Sequence, residues 1–338
     1  MTALFDNQTT FSASSQVFKG LVGDIGGTNA RFAIAERGGG QTKLTEFKSF
    51  HTDGYKDLYA VIDDYFGGLS GRPDLDFSVI AVAGPVNDGA IKFTNLDWLV
   101  TETELAHHTS ARKVRLINDY AGLAYALPHL QDEDTRRIGP VREGKGNVHA
   151  VMGAGTGFGA SVLVGGPYGP YCLSTESGHA SWAPVNDFER EIHRFLSKKH
   201  GRVTIEMVLS GPGLVNLYKA VTNVRGEPTL SLTPAQITHL DGPDAQGSRY
   251  TVETFLDILA SVSGDLSLCH GATAGLFIAG GIAPKLAKYI DEARFRASME
   301  AKAPLVAYVE AIPSRIITHE CAALIGAANA LTDAEILA

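Results

Sequence analysis

Leu21-Val22-Gly23-Asp24-Ile25-Gly26-Gly27-Thr28-Asn29-Ala30-Arg31-Phe32-Ala33-Ile34 joins one apolar stretch to a second through a short loop of Gly, Thr and Asn. With a strand on each side, this run reads as a β-hairpin. Its glycines let backbone N–H groups converge on an anion, and Thr28 and Asn29 add side-chain hydrogen bonds. Asp24, at the mouth of the first strand, then stands where a hydrated Mg2+ accompanying that anion can be held. The same residues also suit an ordinary turn with a solvated Asp, because Gly, Asn and Asp are common turn formers. A partner loop elsewhere in the chain decides between the two.

The remaining composition narrows the function classes. A chain of 338 residues is long for one core and points to two domains. Hydrophobic residues at 44% and charged residues at 20% describe a soluble globular protein. A net charge of −8 and no Lys/Arg run argue against a nucleic-acid footprint. No stretch approaches the apolar length of a membrane span, and the polar residues 1–18 lack the basic and apolar regions of a signal, so they read as a disordered tail and the cytoplasm as the location. Cys172, Cys269 and Cys321 lie far apart without a CxxC spacing and read as buried thiols in a reducing compartment.

Taken in order, the chain alternates strands and helices. After the hairpin come a strand around Leu44–Phe50, an amphipathic helix from Tyr55 to Phe66 and a buried strand from Phe77 to Ala83. Thr101 to Glu104 has the capping-box pattern of a helix start, and a strand from Val114 to Ile117 delivers Asn118-Asp119 ahead of a helix from Tyr120 to Leu127. This is an α/β domain with a mixed sheet. The polar stretch from Leu130 to Asn147 marks a boundary. A small domain over 19–129 plus 320–338 and a large domain over 130–319 are expected. In the large domain lie a helix from Asp187 to His200, a long helix from about Thr251 to Leu268, a strand from Gly275 ending in Gly280-Gly281 and a strand over Ile316–Thr318; a closing helix from Ala322 to Leu331, rich in Ala and Gly, returns to the small domain.

The partner loop follows a strand from Val148 to Met152. Gly155-Thr156-Gly157-Phe158-Gly159-Ala160 matches the dinucleotide GxGxxG/A pattern, which requires a helix to open in its second half. The residues that follow, Ser161-Val162-Leu163-Val164-Gly165-Gly166, are β-branched and broken by glycine, so a second hairpin is favoured. No GK[ST] is present in either loop, which excludes a Walker loop.

Two glycine hairpins, one per domain, are the layout of the hexokinase, actin and heat-shock ATPase superfamily. From about Leu21 onward the chain resembles the bacterial glucokinase branch. The blocks that carry the resemblance are Gly23 to Arg31, Ile117-Asn118-Asp119, Gly153 to Gly157, Glu176 with Gly178-His179, Leu209 to Asn216, and Ile278 to Ile282. The resemblance implies a two-domain actin-like ATPase (ribonuclease H-like) fold, with a cleft between the domains. It implies an ATP- and Mg2+-dependent transfer to the 6-hydroxyl of glucose, and a homodimer.

The same resemblance assigns roles. Asp119 looks like the general base for the sugar's primary hydroxyl, although helix N-cap is its plainer local reading. Asn118, Glu176, His179 and Glu206 look like the sugar clamp, with Thr94 and Asn95 beside them. Trp98 lines the same cleft or belongs to the core. Asp24, Gly26, Gly27, Thr28 and Asn29 are implied to hold the metal and terminal phosphates, with Gly155, Thr156 and Gly157 opposite and Gly280-Gly281 against the adenosine. Glu176 and His179 at i, i+3 also suit a metal pair, but no third ligand is near in sequence and Cys172 stands alone, so no structural zinc is expected. Ser177, where relatives often carry Gly or Pro nearby, is a departure that bears on loop geometry. A kinase of another hexose, a sugar-sensing regulator and a chaperone-type ATPase remain as alternatives on the same fold.

Overall fold

The computed structural model describes residues 16–93, 96–167 and 169–338. Two expectations fall outside these residues: the tail, as far as residue 15, and the candidates Thr94 and Asn95. Phe18, expected in the tail, instead opens the first strand and is buried.

The elements of the first part are β1 (Phe18–Ile25), β2 (Asn29–Gly38), β3 (Gln41–His51), α1 (Leu58–Gly67), β4 (Phe77–Val82), β5 (Ala90–Lys92), β6 (Leu99–Thr101), α2 (Glu102–Thr109), β7 (Lys113–Asn118) and α3 (Asp119–Ala126). Then follow β8 (Thr135–Ile138), β9 (Val148–Ala154), β10 (Phe158–Val164), β11 (Tyr171–Thr175), α4 (Asp187–His200), α5 (Gly211–Arg225), α6 (Pro234–Thr238) and α7 (Ala245–His270). The chain ends with β12 (Gly275–Ala279), α8 (Ala283–Leu286), α9 (Glu292–Glu300), α10 (Val306–Glu310), β13 (Ser314–Ile317), α11 (Ala322–Asn329) and α12 (Asp333–Leu337).

It divides into two compact units. One comprises the chain up to Gln131, Leu163–Ser174 and His319–Ala338; the other comprises Asp132–Val162 and Thr175–Thr318. Leu163–Ser174, which the expected boundaries place in the large domain, groups with the first unit.

The first unit is built on a mixed sheet in the order β3-β2-β1-β4-β7, with β1, β4 and β7 parallel and β1-β2-β3 antiparallel. Alternation along β1 explains why both faces are covered. Leu21 and Ile25 join Phe32, Ile80, Leu58, Ile62 and Tyr65 in the core under α1 and α2. Phe18 and Val22 join Phe77, Val79, Ala121, Leu324 and Ala328 under α3 and α11. Trp98 is core: it is 3% exposed and packs edge-on against Phe93. Backbone approaches backbone where α3 meets α11, because a Cβ on Gly326 would lie 1.6 Å from the carbonyl oxygen of Gly122. The Ala- and Gly-rich closing helix therefore packs closely, as its composition predicts.

The second unit is built on a sheet in the order β11-β10-β9-β12-β13-β8, with β9, β12 and β13 parallel and β8 antiparallel to β13. Its core gathers Met152, Leu217, Tyr218, Phe255, Leu259, Ile278 and Ile316. Helix α4 has the predicted bounds because Asn186 caps its first turn and Gly201 ends it with a positive φ. Helix α7 is longer than its apolar pattern indicates, running from the Asp244 cap to the left-handed Gly271. Cys269 is exposed, and Cys172 and Cys321 are half-buried, so the expectation of three buried thiols is corrected.

Candidate active site

In the first unit the site starts from the turn between β1 and β2. Ile25 pairs with Ala30 and Asp24 with Arg31, which leaves Gly26, Gly27 and Thr28 to make the bend. The Gly26 N–H donates to the Asn29 carbonyl at 2.9 Å. Thr52, just past β3, donates from its amide to the Thr28 carbonyl at 3.0 Å and from its hydroxyl to the Gly27 carbonyl at 3.1 Å. The loop's carbonyls are thus engaged inward. The Gly27 and Thr28 amides have no acceptor among the described residues, and both residues are exposed. Exposed amides without an acceptor are the kind of group that can receive an anion.

Asp24 is the last residue but one of β1, its side chain 22% exposed and 3.4 Å from the Arg31 guanidinium. Burial raises its carboxyl above the ordinary carboxylate range, and Arg31 opposes that rise. Asp119 opens α3. Burial pushes its carboxyl up to about 6; the nearby Asp24 charge adds to the rise, while the Tyr120 N–H opposes it. One oxygen of Asp119 accepts the Tyr120 N–H at 2.9 Å.

Asn118 is the cap residue of α3, so the N-cap role considered for Asp119 belongs to its neighbour. Its Oδ1 accepts from Tyr120 N–H at 2.9 Å, and its Nδ2 donates to the Gly84 carbonyl at 3.2 Å. Held at both ends, the amide keeps one N–H for a ligand.

The second unit brings together Gly155, Thr156, Gly157, Glu176, His179, Glu206 and Gly280-Gly281. The β9–β10 loop closes with Gly155 N–H donating to the Gly157 carbonyl at 2.8 Å, and strand β10 follows it. Glu176 and His179 flank a 3₁₀ turn, with His179 Nε2 and Glu176 Oε2 3.9 Å apart and side chains 60% and 70% exposed, open to a ligand. Glu206 donates its amide to the Gly178 carbonyl at 2.9 Å, and its Oε2 accepts the Phe158 N–H at 2.8 Å. At the end of β12, Gly280 turns with φ +84° where a Cβ would lie 2.4 Å from the Ala154 carbonyl oxygen, so glycine is required beside the loop. Gly281 is exposed, with nothing within 4 Å of its Cβ position.

The donor set also bears on a metal. Among the described residues no group of three His, Cys, Asp or Glu side chains could hold one. The pair Asp24 and Asp119, with like charges raising Asp119, instead suits a cation that keeps most of its ligands as water and phosphate oxygen, which is the habit of Mg2+.

A glucokinase family model matches residues 21–334. The chain belongs to the glucokinase family. A glucokinase of Caulobacter sp. strain K31 is 42% identical over 95% of this chain and 97% of its own length. A solved glucokinase from an Antarctic psychrotroph superposes with a TM-score of 0.86 at 35% identity, covering 94% of this chain and 99% of that one. A Balamuthia mandrillaris glucokinase solved in complex with glucose has a TM-score of 0.74 at 21% identity over 94% of each chain, which shows the shared α/β sugar-kinase fold. Membership accounts for the two glycine hairpins having no Walker sequence. It leaves open which atoms act, and there the geometry adds Arg31. This residue sits inside the first motif but acquires a role only through the register that sets it opposite Asp24.

Proposed function

We propose that this glucokinase family member transfers the γ-phosphate of ATP to the 6-hydroxyl of glucose, with side chains of both units taking part. The observation that carries the reading is Asp119. It is a carboxylate fixed by the helix it starts, its acidity weakened to about 6 by burial, which is near the value a base needs at neutral pH. Its free oxygen takes the proton of the 6-hydroxyl as that oxygen attacks the γ-phosphorus. The bond from phosphorus to the β–γ bridging oxygen breaks, and its electron pair leaves with ADP.

Asn118, Glu176, His179 and Glu206 hold the sugar hydroxyls, since a carboxylate, an amide and an imidazole together read both donors and acceptors. The amides of Gly27 and Thr28 and the Gly155–Gly157 loop hold the phosphates, and Gly280-Gly281 leaves room for the adenosine. Asp24 would hold a hydrated Mg2+, which would supply charge neutralisation on the phosphates. The family resemblance carries with it a cytoplasmic homodimer, checked by light scattering.

A coupled assay over a hexose panel, with ATP and other donors, tests the reading. Glucose with ATP is the expected best pair. Another preferred hexose moves the assignment to that sugar, and hydrolysis of ATP independent of any sugar overturns it. Asp119→Asn lowers kcat by about 10²–10⁴ with sugar binding kept; near-normal turnover removes Asp119 as the base.

A further inference from the structure

Glu206 is held from three sides. Its amide ties it to the Gly178 carbonyl at 2.9 Å, in the turn that carries His179. Its carbonyl accepts the Ser210 hydroxyl at 2.8 Å, and that hydroxyl caps α5 by accepting the Gly213 N–H at 2.9 Å. Its carboxylate reaches the other way: Oε2 accepts the Phe158 N–H at 2.8 Å, immediately after the Gly155-Thr156-Gly157 loop. The loop is tied back to the same region, because Gly211 N–H donates to the Gly155 carbonyl at 2.8 Å. There is little slack in this arrangement. A Cβ on Gly157 would lie 2.6 Å from Glu206 Oε2, and a Cβ on Gly178 would lie 2.4 Å from the Phe158 carbonyl oxygen.

We infer that Glu206 is a positioning residue shared by the sugar clamp and the phosphate loop, and that the missing side chain at Gly157, a phosphate-loop residue, sets hexose affinity even without nucleotide. The inference rests on the sugar-kinase reading above. One carboxylate oxygen is committed to the Phe158 amide, so the other is presented to a sugar hydroxyl in a single orientation. A charge-assisted bond to a backbone amide holds that orientation firmly. By reciprocity, a sugar bound to Glu206 and a nucleotide bound to the loop strengthen each other's binding through this contact, while each ligand alone keeps its own affinity.

The two loop glycines separate this inference from a general disturbance of the loop. Neither Gly155 nor Gly157 has a positive φ, so alanine is allowed by the backbone at both. At Gly157 the added methyl meets Glu206 Oε2, the far end of a side chain, which can yield by giving up its bond to Phe158 without unfolding the protein. At Gly155 the nearest atom is the Gly281 amide nitrogen at 3.9 Å, ordinary contact distance.

The test is isothermal titration of glucose into wild type, Gly155→Ala and Gly157→Ala with no nucleotide present, then with ADP, with thermal melts to confirm folding. In Gly157→Ala the glucose Kd rises about tenfold and the effect of ADP on it is lost; in Gly155→Ala the nucleotide-free glucose Kd stays within about twofold of wild type. An unchanged glucose Kd in folded Gly157→Ala overturns the inference, as do equal losses in both variants. Should Gly157→Ala melt early, Glu206→Gln serves. It retains an acceptor for Phe158 N–H but replaces the second oxygen by a donor, so glucose weakens while the ADP Kd measured alone stays within about twofold. A fall in ADP affinity equal to that of glucose overturns the inference. Wild type that binds no glucose at all identifies a failure of the sugar-kinase reading rather than of the linkage.

Discussion

A carboxyl group raised to about 6 gives Asp119 two opposite pH signatures. As a base it must be ionised, so kcat/KM for glucose should level off about one pH unit above 6, be half that at about pH 6 and approach a tenfold fall per pH unit below it, read from initial rates in a constant-ionic-strength buffer series. For stability the sign reverses. The folded state binds this proton more tightly than the unfolded chain, whose Asp sits near 3.8, so the ionised group costs stability. That cost accrues as pH rises from about 4 to about 6 and is complete above it. Asp119→Asn should therefore melt later than wild type at pH 7.5 in metal-free buffer, by on the order of 1–3 kcal/mol, with the gain shrinking through pH 6 and absent near pH 4. Equal melting at pH 7.5 would show that water, rather than protein, surrounds the carboxylate. Arg31 works against this cost at Asp24, where removing it by Arg31→Leu leaves a half-buried carboxylate without its partner and should destabilise the hairpin.

At the scale of elements, the contact between α3 and α11 positions Asp119, because α3 begins at that residue and Gly122 lies on its next turn. Gly326→Ala puts a methyl 1.6 Å from the Gly122 carbonyl oxygen, so one helix must move. The expected loss is about 1–3 kcal/mol despite the better helix propensity of alanine, visible as a lower Tm, with kcat falling more than the KM for ATP. An unchanged Tm would mean that the two helices part easily.

The close approach of these helices was legible in sequence, since a run of Ala and Gly has no other obvious use. So were the two glycine hairpins and α4, each with apolar spacing and turn residues in agreement. Helix α5 was not: two glycines and a proline stand in its first turn, where Ser210 caps it and proline is tolerated. Strand β8 carries Thr-Arg-Arg-Ile with only Ile138 buried, and β11 has no fully buried residue, so neither leaves the alternation by which strands are recognised. Of the site, the residue types and their order are readable. The Phe158–Glu206 bond and the Arg31–Asp24 pair are not, because both depend on backbone register.

At the scale of the whole molecule, the groups proposed to act together belong to different units. Asp24, Asn118 and Asp119 come from one, and Glu176, His179, Glu206 and Gly155–Gly157 from the other. A single hexose that engages both sets, as proposed, ties the units together, and transfer to a sugar rather than to water requires that water be excluded while the γ-phosphate is reactive. The chain passes between the units after Gln131, after Val162, after Ser174 and after Thr318. These passages are where backbone rotation can change their relation while each sheet stays intact. Saturating glucose alone is therefore expected to reduce the radius of gyration in small-angle X-ray scattering. The compaction should persist in Asp119→Asn, which binds sugar without turning it over, and shrink in Glu176→Ala, which loses a contact from one side only. An unchanged radius at saturating glucose, confirmed as bound by titration, would remove closure from the mechanism and require water to be excluded by the substrates themselves.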